Sequence, residues 1–477
     1  MKKVVLFLGI FLGVCVTKVL SQTAVIPDPA FRQFLVTNHP SLMNANQELI
    51  TANAAAVTGV FYCSEANISS LEGIQNFTGI KELQCLKNKL TTLPNLSNLT
   101  GLTQLNASGN QLTILPALNS LINLQVLNVM ENKITAFPDL SGLTNIKEIR
   151  IYKNQLSSIP DLSGLSNLQK LSCYENNLTS IGKMPASLKE LNFGDNRMTV
   201  IPDISLATGL TLLAAYTNQI SSLPDLSTFT SLVHLNLGTN KISSVPNLST
   251  LTNLNHLTLD NNLLSDLPDL SGLNQLTFCW LHKNFFTFED LSPSAANPNF
   301  GSWTIHPQNP IQVSPSYKGM ENQRLEISLN YNSSISGLTF SWYQNDSLRT
   351  QTAEPVLEIP SLQKSDNGSY YCVVTSSQPS LSALTLTSTE FTIIMIPDFL
   401  KGSEELTLSP NGDGKNDEIY FEEHGTLKVY ASSGDLVDQR SSPCYWNGTT
   451  RSGRDLEIGY YVIRINDEIT YHMNIVR

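Results

Sequence analysis

The chain has 477 residues, 41% of them hydrophobic, with 29 lysines and arginines against 40 aspartates and glutamates and a formal net charge of −11. That length exceeds one ordinary core and predicts about three domains. The acidic balance argues against nucleic acid as a partner, because neutralising phosphates requires basic patches.

The first element is a leader. Lys2 and Lys3 precede an apolar run from Val4 to Val16 and the exit Val19-Leu20-Ser21, which predicts a secretory signal peptide over residues 1–21, cleaved before Gln22. Cys15 follows Val14, where a lipoprotein signal would want Gly or Ala, so no lipid anchor is expected. Loss of Lys2, Lys3 and Lys18 takes the charge from −11 to −14. No later apolar run approaches the roughly 20 residues of a membrane helix, and no transmembrane segment is expected in the mature chain.

From residue 59 the chain repeats. An asparagine returns every 22 residues at Asn88, Asn110, Asn132, Asn154 and Asn176, then at Asn196, Asn218, Asn240, Asn262 and Asn284, with one shorter step of 20 from Asn176 to Asn196. Each sits in the frame Leu-x-x-Leu-x-Leu-x-x-Asn-x-Leu, as in Leu254, Leu257, Leu259, Asn262 and Leu264. A period of this size predicts a solenoid. The alternation around Leu-x-Leu predicts one short strand per coil, stacked into a parallel sheet, and the asparagine follows at the bend, where its amide can satisfy backbone groups of two coils. The return segment Leu-Pro-Asp-Leu-Ser contains proline and predicts turns, not long helices. The coil at Ile181-Gly182-Lys183-Met184-Pro185 lacks two residues, and a local change of curvature is expected there. Cys63, Cys85 and Cys173 fall three before the ladder position and Cys279 five before it, which predicts buried thiols in place of leucines. Cys63 and Cys85 would lie on neighbouring strands, so a bridge between them is open but not required.

These units resemble the leucine-rich-repeat family, in the short 22-residue form of internalin-like bacterial surface proteins, over about residues 59–290. The resemblance implies a solenoid domain over 59–300 preceded by an amino-terminal cap over 22–58, with Ile26-Pro27-Asp28-Pro29-Ala30-Phe31 at its start. In the loop Asn44-Ala45-Asn46-Gln47-Glu48 a single carboxylate offers too few hard ligands for calcium.

Outward strand positions are where recognition is expected. Two and four residues before the ladder stand Arg150, Tyr152, Tyr174 and Tyr216, side-chain types that dominate interface energetics. Trp280, His282 and Lys283 form a second cluster at the last coil, placed either for ligand or against the next domain. His234 and His256 lie six before their ladder residues on adjacent coils, but no third ligand shares their spacing, so no metal or cofactor is expected. No catalytic motif is evident, and the chain is not expected to be an enzyme.

A Pro-, Ser- and Asn-rich stretch after Phe288 reads as a linker up to Pro310. Strand patterns follow at Leu325–Leu329, Thr339–Tyr343 and Gly368–Val374. Trp342 and the run Asp366-Asn367-Gly368-Ser369-Tyr370-Tyr371-Cys372 resemble the immunoglobulin-like sandwich, with Tyr370 as the corner tyrosine. Leu329 stands where that fold has its second cysteine, so Cys372 is expected to be a buried free thiol. The resemblance implies a spacer over 301–397. The turn-rich run Leu408-Ser409-Pro410-Asn411-Gly412-Asp413-Gly414-Lys415-Asn416-Asp417 is expected to close on its own side chains, with calcium at Asn411, Asp413 and Asp417 as the alternative. With the strands at Thr426–Tyr430 and Gly459–Ile463 and Tyr445-Trp446-Asn447-Gly448 between them, it resembles the gliding-motility-associated carboxy-terminal domain over 398–477. That resemblance implies an export and surface-attachment address read by the type IX secretion machinery.

The expected fold is mainly β: a leucine-rich-repeat solenoid of α/β type, then an immunoglobulin-like β-sandwich and a small C-terminal β-sandwich. The expected function is that of a secreted or outer-membrane surface protein, adhesin-like, binding an extracellular protein or glycan on its concave face. The alternatives are a structural envelope protein with no specific ligand and, behind that, an exported hydrolase.

Overall fold

The computed structural model describes residues 22–136, 139–329, 331, 334–396, 404–412 and 415–476. The signal-peptide expectation at 1–21 and Asp413 of the turn-rich run lie outside the described residues. Two compact units divide the chain, one ending at Asn262 and one beginning at Leu263.

The first unit opens with the helix Pro29–Asn38. Asp28 caps it, accepting from the Phe31 amide with one carboxylate oxygen and from the Ser69 and Ser70 amides with the other. One short acidic side chain thus ends the helix and ties it to the first coil. The loop at Asn44 closes on itself, with Asn44 Oδ1 accepting from the Asn46 and Glu48 amides and Asn44 Nδ2 donating to Glu48.

Ten strands of this unit, from Gly59–Tyr62 through His256–Thr258, form one parallel sheet among the described residues. Each is short because only three or so residues alternate in and out before the bend. The inward residues, such as Leu127, Ile149, Leu171 and Leu191, are buried. The bend residue before each ladder asparagine, from Lys87 through Asn261, has positive φ, which turns the chain out of the strand. The ladder itself is regular. Asn154 Oδ1 accepts from the Ile134 amide, while its Nδ2 donates to the Val129 and Ile151 carbonyls. The same three bonds recur at Asn88, Asn110, Asn132 and Asn262.

Return segments are turns. Asp139, Asp161, Asp203 and Asp225 each accept from the amide of the serine two residues on, closing an Asx turn that explains the Asp-Leu-Ser phrase. The serine amide, then its hydroxyl, holds the Asp139 and Asp225 carboxyls below their ordinary value. A second asparagine column appears here: Asn123, Asn145, Asn167 and Asn253 donate to carbonyls of the preceding coil. The shortened coil leaves the main sheet in register, with Glu190–Asn192 opposite both Lys170–Ser172 and Leu212–Ala214. The missing residues are absorbed on the return side, where Ser180–Ile181 pairs with Ser158–Ile159 and a Cβ on Gly182 would meet Asp161 backbone at 2.6 Å. Cys63, Cys85 and Cys173 are buried free thiols; burial pushes Cys63 up to about 12.

The second unit begins with a further coil carrying the strand Phe278–Trp280 and ladder residue Asn284, which accepts from the Leu264 amide. The stretch expected to be a linker is instead a packed cap. A helix Phe288–Leu291, closed by a Thr287/Asp290 capping box, and two 3₁₀ turns bury Phe288, Leu291, Phe300, Trp303 and Ile305. The reason is physical: five dispersed apolar residues cover the coil's open end, and the polar majority between them hides the pattern. Ser294 Oγ accepts from the Leu270 amide, and Asn297 Nδ2 donates to the Leu270 and Leu273 carbonyls. Gln308 takes the place of the next ladder asparagine, accepting from the Asn284 amide and donating to the Leu281 and Ile305 carbonyls.

Beyond the cap, a six-stranded sheet is built on Leu338–Gln344 paired with Gly368–Ser376, and Leu325–Ser328 pairs with Val356–Ile359 in a second sheet. Trp342 stands opposite Cys372, both fully buried, and Leu329 is buried as well. Tyr370 donates to the Asp366 carbonyl at 2.8 Å and Arg349 bridges to the Asp366 carboxylate at 2.6 Å. The remaining residues make a five-stranded sheet in the order Glu404–Leu408, Ile469–Ile475, Gly459–Ile465, Ile419–Ala431, Leu436–Trp446. Phe421, Val429, Trp446, Ile463 and Met473 are central to its core. In the turn-rich run the Gly412 amide donates to Asp417 Oδ1 at 2.8 Å.

Candidate functional site

The parallel strands of the first unit present three outward positions per coil, at six, four and two residues before the ladder, because side chains alternate with period two. Neighbouring strands stack these positions into rows. In the row nearest the bend Tyr152 and Tyr174 stack face to face, with ring centroids 4.2 Å apart and planes 12° apart. Burial, then a hydrogen bond to Tyr152, pushes the Tyr174 hydroxyl well above its ordinary value, so it stays protonated at physiological pH. Gly194 follows in the next coil, and a Cβ there would meet the Tyr216 ring at 2.4 Å. Tyr216 therefore crosses over Gly194, and the row Tyr152, Tyr174, Tyr216 is bridged where the glycine leaves room. Burial, then the Asp195 charge, raises the Tyr216 hydroxyl, while a hydrogen bond with Asn192 acts the other way.

Arg150, from the middle row, reaches Glu148 at 2.7 Å, and Lys170 reaches Glu190 at 2.7 Å. The Glu190 hydrogen bond is the main cause of the raised Lys170 pKa. These pairs are exposed enough to add little stability, but they hold four charged side chains in an ordered band beside the tyrosines. Asn106, Asn128, Asn192 and Asn236 each accept from the amide two residues on, an arrangement that fixes their side-chain orientation. On the bend side Lys87 pairs with Glu65 and Lys153 with Glu131, whereas Glu175 and Asp195 have no cationic partner among the described residues. His234 and His256 stack at 4.4 Å; burial, then His234, lowers the His256 pKa. No group of three or more His, Cys, Asp or Glu able to hold a metal occurs among the described residues.

The four sequence-expected residues Arg150, Tyr152, Tyr174 and Tyr216 thus share one face. Glu148, Lys170, Glu190 and Gly194 were missed. The signal for the first three was the same period of two, which puts the position six before the ladder on the same face; Gly194 carries no side chain to flag it. In the second unit, Trp280 lies on one strand with Phe278, and His282 follows just beyond the strand's end. Trp280 is 5.0 Å from Phe278 and 5.9 Å from His282, centroid to centroid. The backbone beside them is engaged, with a bridge from Trp280 to Thr304 and a bond from the Lys283 amide to Pro307, yet the Trp280 side chain remains 41% exposed.

A sequence profile of leucine-rich repeats in two copies matches residues 100–142. The fold is similar to that of the functional domain of InlJ from Listeria monocytogenes, described as including a cysteine ladder: TM-score 0.51, 19% identity, covering 78% of this chain and 99% of that one. InlP from the same organism aligns at 17% identity over 77% of this chain and 96% of its own, with TM-score 0.42. An internalin, InlF, also from Listeria monocytogenes, aligns at 22% identity over 59% and 97%, with TM-score 0.39. No curated protein sequence matches the chain. The chain therefore contains leucine-rich repeats in a mainly β solenoid of internalin-like fold. Here Cys63 and Cys85 occupy the same inward position in consecutive coils, as free thiols. Among the described residues no helix is long and apolar enough to cross a membrane.

Proposed function

We propose that this chain is an exported binding protein of the secreted or cell-surface kind, adhesin-like, which captures an extracellular partner on the strand face of its repeats. The observation that carries this reading is the stacked Tyr152–Tyr174 pair, continued by Tyr216 and flanked by the Arg150 and Lys170 ion pairs. These partly buried tyrosines point outward and not into the core, and interfaces draw much of their energy from tyrosine and arginine. Residues 301–397 we read as an immunoglobulin-like spacer, supported by the Tyr370–Asp366 bond and by Trp342 opposite Cys372. Residues 398–477 we read as a sorting domain addressed to type IX secretion, on the motifs of its sequence.

The partner is a protein, with a glycan as the second reading. The glycan is favoured at one place, where Phe278 and Trp280 offer open ring surface of the kind that packs on sugars. The test is binding of the full mature chain to arrays of extracellular proteins and glycans, beside the Tyr152→Ala/Tyr174→Ala variant. We expect a saturable partner whose affinity falls at least about tenfold in the variant, each lost hot spot being worth roughly 1–2 kcal/mol. A folded chain with no partner would favour a structural envelope role, and hydrolytic activity in the purified chain would favour the enzyme.

A further inference from the structure

The tyrosine row says something about the chemistry of what it binds. Tyr152 and Tyr174 close one ring face each on the other at 4.2 Å, which takes those two faces from any ligand and leaves the hydroxyls as the polar groups of the pair. What the row does have beside it is uncompensated negative charge. Arg150 and Lys170 are already held by Glu148 and Glu190. Glu131 is held by Lys153. Glu175 and Asp195, at the bends of consecutive coils, form no ion pair among the described residues, the neighbouring Lys153 being engaged by Glu131, and both act electrostatically on Tyr216. Farther along the face Asp260 leans across Gly238, where an added Cβ would meet its carboxylate at 2.6 Å.

We infer that the partner of this face is a protein presenting lysine or arginine side chains, which seat between the Tyr174 and Tyr216 hydroxyls and the carboxylates of Glu175 and Asp195. This rests on the reading of the strand face as a recognition surface and adds its partner's charge. The phenol oxygens accept hydrogen bonds from an ammonium or guanidinium, and the two carboxylates supply charge-assisted bonds that neutral donors do not match. The wider chain, at −11, steers a basic partner toward the face and repels an acidic one.

The full mature chain is titrated by fluorescence anisotropy with labelled hexa-arginine, hexalysine and hexaglutamate, at about 50 and about 300 mM NaCl so that screening can be read. The two basic peptides are expected to bind saturably and the acidic one not at all. Glu175→Gln/Asp195→Asn, which keeps shape and removes charge, is expected to weaken the basic peptides at least about tenfold with an unchanged thermal midpoint. Glu418→Gln/Glu422→Gln, the same charge change on exposed residues of the C-terminal sheet, is expected to leave binding as it was. Equal weakening by both pairs would reduce the effect to bulk charge and overturn the inference, as would no weakening by the first. A protein partner that depends on Tyr152 and Tyr174 but ignores Glu175→Gln/Asp195→Asn would leave the recognition face standing and sink its cationic partner.

Discussion

Asn154 illustrates what one residue does in this architecture. Its amide serves the Ile134 amide and the Val129 and Ile151 carbonyls, all buried between coils. Asn154→Ala would strand those groups, at a cost of roughly 3 kcal/mol, to be read as a lower denaturant midpoint for the first unit. Asn128→Ala, on the outward face and bonded only to the Met130 amide at 3.3 Å, should cost less than about 1 kcal/mol in the same experiment. The contrast was legible in the sequence, because the ladder residue recurs at fixed spacing whereas Asn128 belongs to an outward row that tolerates arginine, serine and alanine. Gly194 was not legible: its meaning lies in where the Tyr216 ring goes, and no periodicity of residue types encodes the path of a neighbour's side chain.

The strands and ladder followed from one pattern, so the sheet was readable coil by coil, and so were the buried Cys63 and Cys85. The closing cap was not. Its helix and turns hold their apolar residues at irregular spacing among Ser, Pro and Asn, and a composition of that kind reads as a loop until the open end of a solenoid is there to be covered. Gln308 is the clearest case, because it performs the ladder function with a longer side chain, 24 residues after Asn284. Gln308→Ala should therefore act locally. Amide hydrogen exchange is expected to speed up over the strand Phe278–Trp280 and the helix Phe288–Leu291, with the strands of the first unit unchanged; uniform acceleration throughout the chain would contradict a capping role.

At the scale of the whole chain, pH acts through a few groups. The His256 pKa lies below its ordinary 6.5, by burial and then by His234, so the unfolded chain binds a proton more readily than the folded one. The stability this represents is present above about 6.5 and is lost as pH falls toward the folded value. Thermal midpoints measured between about pH 7 and about pH 5 should drop for the natural chain, and drop less for His256→Gln, whereas the Asx-turn carboxylates, with pKa values below 3.8, stay charged over that window. The repeat carries one more consequence. Outside the short coil, the ladder bonds of Asn88 through Asn262 are set by constant offsets in residue number, so gain or loss of a whole 22-residue coil rewrites no contact within the others. Such an event would only change how far the tyrosines stand from the histidine pair, in steps of about 4.8 Å. The face is in effect a ruler whose divisions heredity can add or remove one at a time, and the 20-residue coil, still in register, shows that even a miscut division keeps the scale.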